Sequence, residues 1–143
     1  MYFKEIEFGG KAYYNTIELR YKVLRKPLNL KFDAEALAME YKDHHLCAFS
    51  LNDTLAACLI MSPQENGSVK MRQFAVEPEL QGQSIGKRLV SFAEQWAAES
   101  NYKKIELHAR LTAVPFYEKL GYIIEGEEFV EVTIPHRFMF KDI

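Results

Sequence analysis

The residues best suited to chemistry lie in one stretch, Gln81-Gly82-Gln83-Ser84-Ile85-Gly86-Lys87-Arg88. An apolar, strand-like run from Val69 to Val76 leads into it, and an apolar-periodic run follows it. A strand that enters a small-residue loop and leaves as a helix presents unpaired N–H groups at the positive end of the helix dipole. That arrangement favours a phosphate or pyrophosphate. Gly82 and Gly86 permit close backbone approach, and Lys87 and Arg88 add positive charge. The same residues also describe an ordinary strand-to-helix turn. Two familiar phosphate loops fit poorly. A P-loop needs Ser or Thr after Gly-Lys, where this chain has Arg88. A dinucleotide fingerprint needs three closely spaced glycines, and only Gly82 and Gly86 are present.

The elements that must position this loop follow from periodicity. Tyr2 to Phe8 alternates apolar and polar residues as a strand does, and Gly9-Gly10 ends it. Tyr13, Ile17, Leu19 and Val23 recur at helical spacing from Ala12 to about Val23, and Pro27 closes that helix. Lys22, Arg25 and Lys26 gather at its negative pole, where a solvated cluster is favoured. Asp33 is an N-cap for a short helix through about Tyr41. Leu46–Leu51 and Thr54–Met61 form a hairpin about Asn52-Asp53, and Val69–Val76 is the next strand. Ile85, Leu89, Phe92, Ala93 and Trp96 line one face of a helix to about Ser100. A strand over Ile105–Ala109, a helix over Ala113–Leu120 capped by Gly121, and strands over Tyr122–Glu125 and Phe129–Lys141 complete the order, with Gly126 near the last turn. This alternation predicts one α/β (α+β) sheet domain over residues 1–143.

Composition narrows the partners. With 48% apolar and 13% aromatic residues, the chain can build a packed core. Its formal net charge of -2 provides no broad attraction for nucleic acid. Cys47 and Cys58 sit in apolar runs without metal-ligand spacing and read as small core residues; no metal is expected. Nothing resembles a signal peptide or a membrane span, so a cytoplasmic protein away from the membrane is expected.

The motifs together resemble the GNAT superfamily of acyl-CoA-dependent N-acetyltransferases. Gln81-Gly82-Gln83-Ser84-Ile85-Gly86 is similar to its Arg/Gln-x-x-Gly-x-Gly/Ala loop, with Ser84 where the family usually has its first glycine. Ala113-Val114-Pro115-Phe116-Tyr117-Glu118-Lys119-Leu120-Gly121-Tyr122 resembles its Ala-x-x-Phe-Tyr-x-x-x-Gly-Phe/Tyr segment. The resemblance implies a mixed, mostly antiparallel sheet that splays at its central strands to admit acetyl-CoA. It implies a pantetheine arm pairing with backbone at Phe74, Ala75 and Val76, and a Phe74 N–H aimed at the acetyl carbonyl. Gln81, Gly82, Gln83, Ser84, Ile85, Gly86 and Lys87 would hold the pyrophosphate, with Arg110, Phe116 and Tyr117 also against the cofactor.

Tyr117 stands at the family position for the acid that protonates the thiolate; a phenol with pKa about 10 remains protonated at neutral pH. For the base, the central strand offers Lys70, Arg72 and Gln73 but no carboxylate, leaving His136 or His108. By resemblance, Lys22, Arg25 and Lys26 belong to the acceptor wall; if they face the cleft, an anionic acceptor becomes more plausible. The expected activity is transfer of acetyl from acetyl-CoA to a primary amine on a small molecule or peptide. The alternative is a catalytically weak acyl-CoA-binding sensor or interaction module. Family analogy also allows a homodimer through the terminal strands.

Overall fold

The computed structural model describes all residues, 1–143. Seven strands form one sheet in the order β1-β2-β3-β4-β5-β7-β6. The strands are β1 (Tyr2–Ile6), β2 (His44–Phe49), β3 (Leu55–Pro63), β4 (Val69–Val76), β5 (Lys104–Arg110), β6 (Ile123–Glu131) and β7 (Ile134–Asp142). Neighbours are antiparallel except β4 and β5, whose parallel ladder covers only Val69–Met71 against Ile105–Leu107. Beyond that point the two strands diverge. The predicted mixed, mostly antiparallel sheet, splayed at its centre, is therefore present.

Helices cover both faces. The long helix α3 (Ile85–Glu99) buries Ile85, Leu89, Val90, Ala93 and Ala97, its residues at helical spacing, against Leu46, Leu59, Met61 and Leu107 of the sheet. On the other face α1 (Lys11–Arg20) sets Tyr13 and Leu19 against Ile6, Phe49, Cys47 and Cys58. The two cysteines are cross-strand neighbours, both buried and unpaired, and burial pushes both thiols up. They are core residues, as expected.

Three local departures from the sequence reading matter. First, the helix predicted to about Val23 changes pitch: α1 passes at Arg20 into a π-turn over Tyr21–Arg25, then a 3-10 turn over Lys26–Leu28 that contains Pro27. Second, the helix capped by Asp33, whose side chain accepts from the Glu35 N–H at 3.1 Å, is short. It spans α2 (Ala34–Ala38) and continues as a 3-10 turn to Lys42. Third, Gly126 is not at the last hairpin turn. It lies within β6 at φ 80°, where the β6–β7 register shifts, and the turn itself is Val132-Thr133, with φ of 44° and 70°. β-Branched residues are poor in this left-handed region, so no turn signal was visible there.

A buried polar network anchors the helical wall to the sheet. Arg20 donates from both terminal nitrogens to Glu40, at 2.9 and 2.6 Å, and Tyr13 donates its hydroxyl to the same carboxylate at 2.8 Å. His45 Nε2 donates to the Glu40 carbonyl at 2.9 Å. Burial opposes ionisation of Glu40, but the Arg20 bonds and charge outweigh it, and the carboxyl is held below the usual range. Removing one partner of a buried pair leaves an uncompensated charge, so Glu40→Gln is expected to cost about 3–5 kcal/mol in urea unfolding. Because the folded pKa is depressed, this contribution is present above the ordinary carboxylate pKa of about 4.3 and is lost as pH falls through the folded value. The difference between wild type and Glu40→Gln should therefore narrow in acid, and a constant difference would contradict this.

Candidate active site

The strand β4 carries an extra residue where it leaves β5. Cys58 pairs with Ala75 and Ile60 with Arg72, so Leu59 alone stands opposite Gln73 and Phe74. Gln73 takes up the surplus at φ 54° as a β-bulge. The Glu77 N–H donates to the Ala56 carbonyl at 2.9 Å. Antiparallel alternation then turns Ala75 and Glu77 backbone toward β3, and that of Phe74 and Val76 toward the gap. The Val76 carbonyl accepts from the Gln81 side chain at 3.2 Å.

One cleft, of about 560 Å³, opens on this edge. Phe74, Ala75, Val76, Gln81, Gly82, Ser84, Ile85, Gly86, Lys87, Phe116 and Tyr117 all line it, joined by Val23, Leu80 and Ala113. Its floor includes the start of α3. The first intrahelical bond runs from the Arg88 N–H to the Ser84 carbonyl, and the Ser84 side chain caps nothing. No acidic residue occupies the first turn. The leading N–H donors of α3 are thus left to a ligand, and they suit an anion such as a pyrophosphate. Gly86 packs closely here: a Cβ would lie 3.0 Å from Phe74 Cζ and 3.5 Å from Val76 Cγ2, so a larger residue would press on the Phe74 ring. Gln83 belongs to the loop but not to the cleft lining, and Arg88 stacks on the Phe3 ring at 5.1 Å, away from it.

A second cleft, of about 370 Å³, lies on the other side of Phe74 and Tyr117, which border both. The short helix α4 (Val114–Lys119) presents Tyr117, and its end is locked by Gly121 at φ 94° and by the Tyr122 N–H bonded to the Tyr117 carbonyl at 3.0 Å. Phe116 and Tyr122 pack on the Tyr117 ring edge-on, at centroid distances of 5.1 and 5.7 Å. Burial alone raises the Tyr117 pKa, which keeps the phenol protonated.

The second cleft also gathers residues from far apart in the chain: Arg25, Lys70, Arg72, His108, Arg110, Glu131 and His136. Arg110 lies here and not in the first cleft, donating to the Leu24 carbonyl at 3.0 Å. Glu131 is the carboxylate that sequence reasoning missed, because the misplaced turn left it inside a strand. It accepts from His108 Nδ1 at 2.9 Å and lies 3.8 Å from His136 Nε2. Burial opposes its ionisation, but the His108 hydrogen bond and the basic groups around it, Lys70 among them, hold its carboxyl low. With Nδ1 donating, the neutral His108 ring keeps Nε2 as a proton acceptor. His136 is buried, and its Nδ1 donates to the Ile134 carbonyl at 2.9 Å.

The acetyltransferase (GNAT) family model matches residues 12–122. The chain belongs to this family. The uncharacterized N-acetyltransferase YjcF of Bacillus subtilis is 26% identical over 125 residues, covering 87% of this chain and 88% of YjcF. The uncharacterized protein YyaT of the same organism is 34% identical over 76 residues; the match spans 53% of this chain and 51% of YyaT. An aminoglycoside 6'-N-acetyltransferase complexed with coenzyme A shares the fold, with a TM-score of 0.80 at 20% identity, over 99% of this chain and 97% of that one. No helix of this GNAT protein is long and apolar enough to cross a membrane.

Ser84 occupies the usual glycine position at φ 65°, in the left-handed region. A non-glycine residue there costs about 1–2 kcal/mol. Ser84→Gly should raise stability by up to that amount with the cleft unchanged; a lower Tm for Ser84→Gly would show that the serine side chain has a structural task.

Proposed function

We propose that this GNAT protein transfers the acetyl group of acetyl-CoA to the amine of a small-molecule or peptide acceptor. The observation that carries the reading is the meeting of two clefts at Phe74 and Tyr117. One offers unused helix N–H donors and strand backbone; the other offers a carboxylate–histidine pair.

Acetyl-CoA supplies a thioester, at which the new C–N bond forms as the C–S bond breaks. The chain does the rest. The N–H groups of Ile85, Gly86 and Lys87 hold the pyrophosphate, and the gap-facing backbone of Phe74 and Val76 aligns the pantetheine arm as an added strand. The Phe74 N–H is aimed at the carbonyl oxygen, where negative charge grows; comparable donors contribute roughly 3–4 kcal/mol. His108 Nε2 takes the proton lost by the attacking amine, and Glu131 stabilises the imidazolium that results. His136 backs Glu131 from the other side. The Tyr117 hydroxyl gives its proton to the departing sulfur and recovers one from solvent. The proton count closes with N-acetylated amine and free CoA.

Calorimetric titration should give saturable binding of acetyl-CoA, and none of ATP or NAD. In Tyr117→Phe, acetyl-CoA affinity should survive while kcat falls by about 100-fold or more, the range of a lost acid. An unchanged kcat would remove Tyr117 from the chemistry. Failure to bind acetyl-CoA at millimolar concentration would overturn the reading.

A further inference from the structure

The second cleft has an electrostatic imbalance that acetyl transfer by itself does not use. Four basic side chains line it, Arg25, Lys70, Arg72 and Arg110, against the single carboxylate Glu131. Their protein partners neutralise them only in part. Arg72 forms an ion pair with Asp43 and reaches the Ser62 hydroxyl, both at 3.4 Å, whereas Arg110 is bonded to a carbonyl. Arg25 is the extreme case. Its guanidinium lies over the Phe32 ring at 5.0 Å, its Nε is buried without a partner, and no carboxylate pairs with it. Burial disfavours its charge, Arg20, Arg110 and Arg72 repel it further, and the attraction of Glu131 does not offset them. Its neighbour Lys22, in contrast, pairs with Glu77 at the surface. Both residues lie in the π-turn over Tyr21–Arg25, yet only Arg25 lines the cleft.

Partly buried like charges destabilise a fold unless an anion joins them. Guanidinium groups prefer a planar carboxylate, which they can grip with two parallel bonds. Glu131 sits on the same cleft and suits the opposite end of such a ligand. We infer that the acceptor is a small zwitterion, an amine that also carries a carboxylate, with Arg25 and its cationic neighbours binding the carboxylate and the Glu131–His108 end receiving the amine. This rests on the acetyltransferase reading above, and it makes a polycationic acceptor unsuitable.

The test has a kinetic arm and a binding arm. CoA release would be measured with alanine against alaninamide, phosphoethanolamine against ethanolamine, and spermidine. Alanine should exceed alaninamide in kcat/KM by at least about tenfold, the size of one charge-assisted contact. Arg25→Gln should abolish that preference through KM, with acetyl-CoA affinity unchanged. Phosphoethanolamine as the better substrate would replace carboxylate by phosphate and overturn the carboxylate assignment. Spermidine or alaninamide as the better substrate would overturn the zwitterion altogether. The binding arm needs no turnover: N-acetylalanine, with CoA present and absent, should raise the Tm of wild type but not of Arg25→Gln, while N-acetylalaninamide raises neither. Equal effects of the two N-acetyl probes, or an Arg25→Gln that still responds, would sink the proposal even if acetyl-CoA binds. Loss of acetyl-CoA binding with the N-acetylalanine response intact would instead sink the enzyme reading alone. Unliganded Arg25→Gln should be at least as stable as wild type, since it relieves an unpaired cation.

Discussion

Everything in this molecule depends on β4 parting from β5 after Met71 and Leu107. A parallel pair that ran its full length would satisfy the backbone of both strands and leave no site. Parting instead leaves the gap-side backbone of Phe74 and the Val76 N–H without a strand partner, the Val76 carbonyl being met by the Gln81 side chain. In the proposed function, an extended ligand arm stands in for the missing strand. The same divergence creates two clefts, with Phe74 and Tyr117 as their common wall. β3 and β4 still pair on either side of the bulge at Gln73.

Backbone strain marks the same places. Seven residues other than glycine have positive φ: Asn29, Asp53, Gln73, Ser84, Asn101, Val132 and Thr133. Away from the clefts these are Asn or Asp, which tolerate the left-handed region. The exceptions are the bulge, the start of α3 and the β6–β7 turn, and Gln73, Ser84 and Val132 line a cleft. Such strain persists where the surroundings over-determine it. Here the core beneath α3 and the Arg20–Glu40 network hold the frame on both faces of the sheet.

The order of strands and helices was legible because periodicity reports burial faces, and α3 shows it plainly. The loop from Gln81 to Gly86 and the Phe116–Tyr117 segment were legible through their resemblance to the GNAT motifs, since the loop's chemistry alone also describes an ordinary strand-to-helix turn. The acceptor side was not legible. Glu131 comes to His108 only through the pairing of β7 with both β5 and β6, a non-local fact. Its turn uses Val132-Thr133, which carries no turn chemistry. Arg25 read as a solvated residue because it gathers with Lys22 and Lys26 at the negative pole of the first helix, and the π-turn there has no sequence signal.

Amide hydrogen exchange read residue by residue, with and without acetyl-CoA, is the most direct measure of the central claim. Protection should rise at the amides of Phe74 and Val76 and at Ile85–Lys87, while Val69–Met71, already paired with β5, remain unchanged. Protection that left Phe74 and Val76 untouched, or that fell mainly on another strand, would mean that the parted strands do not receive the cofactor.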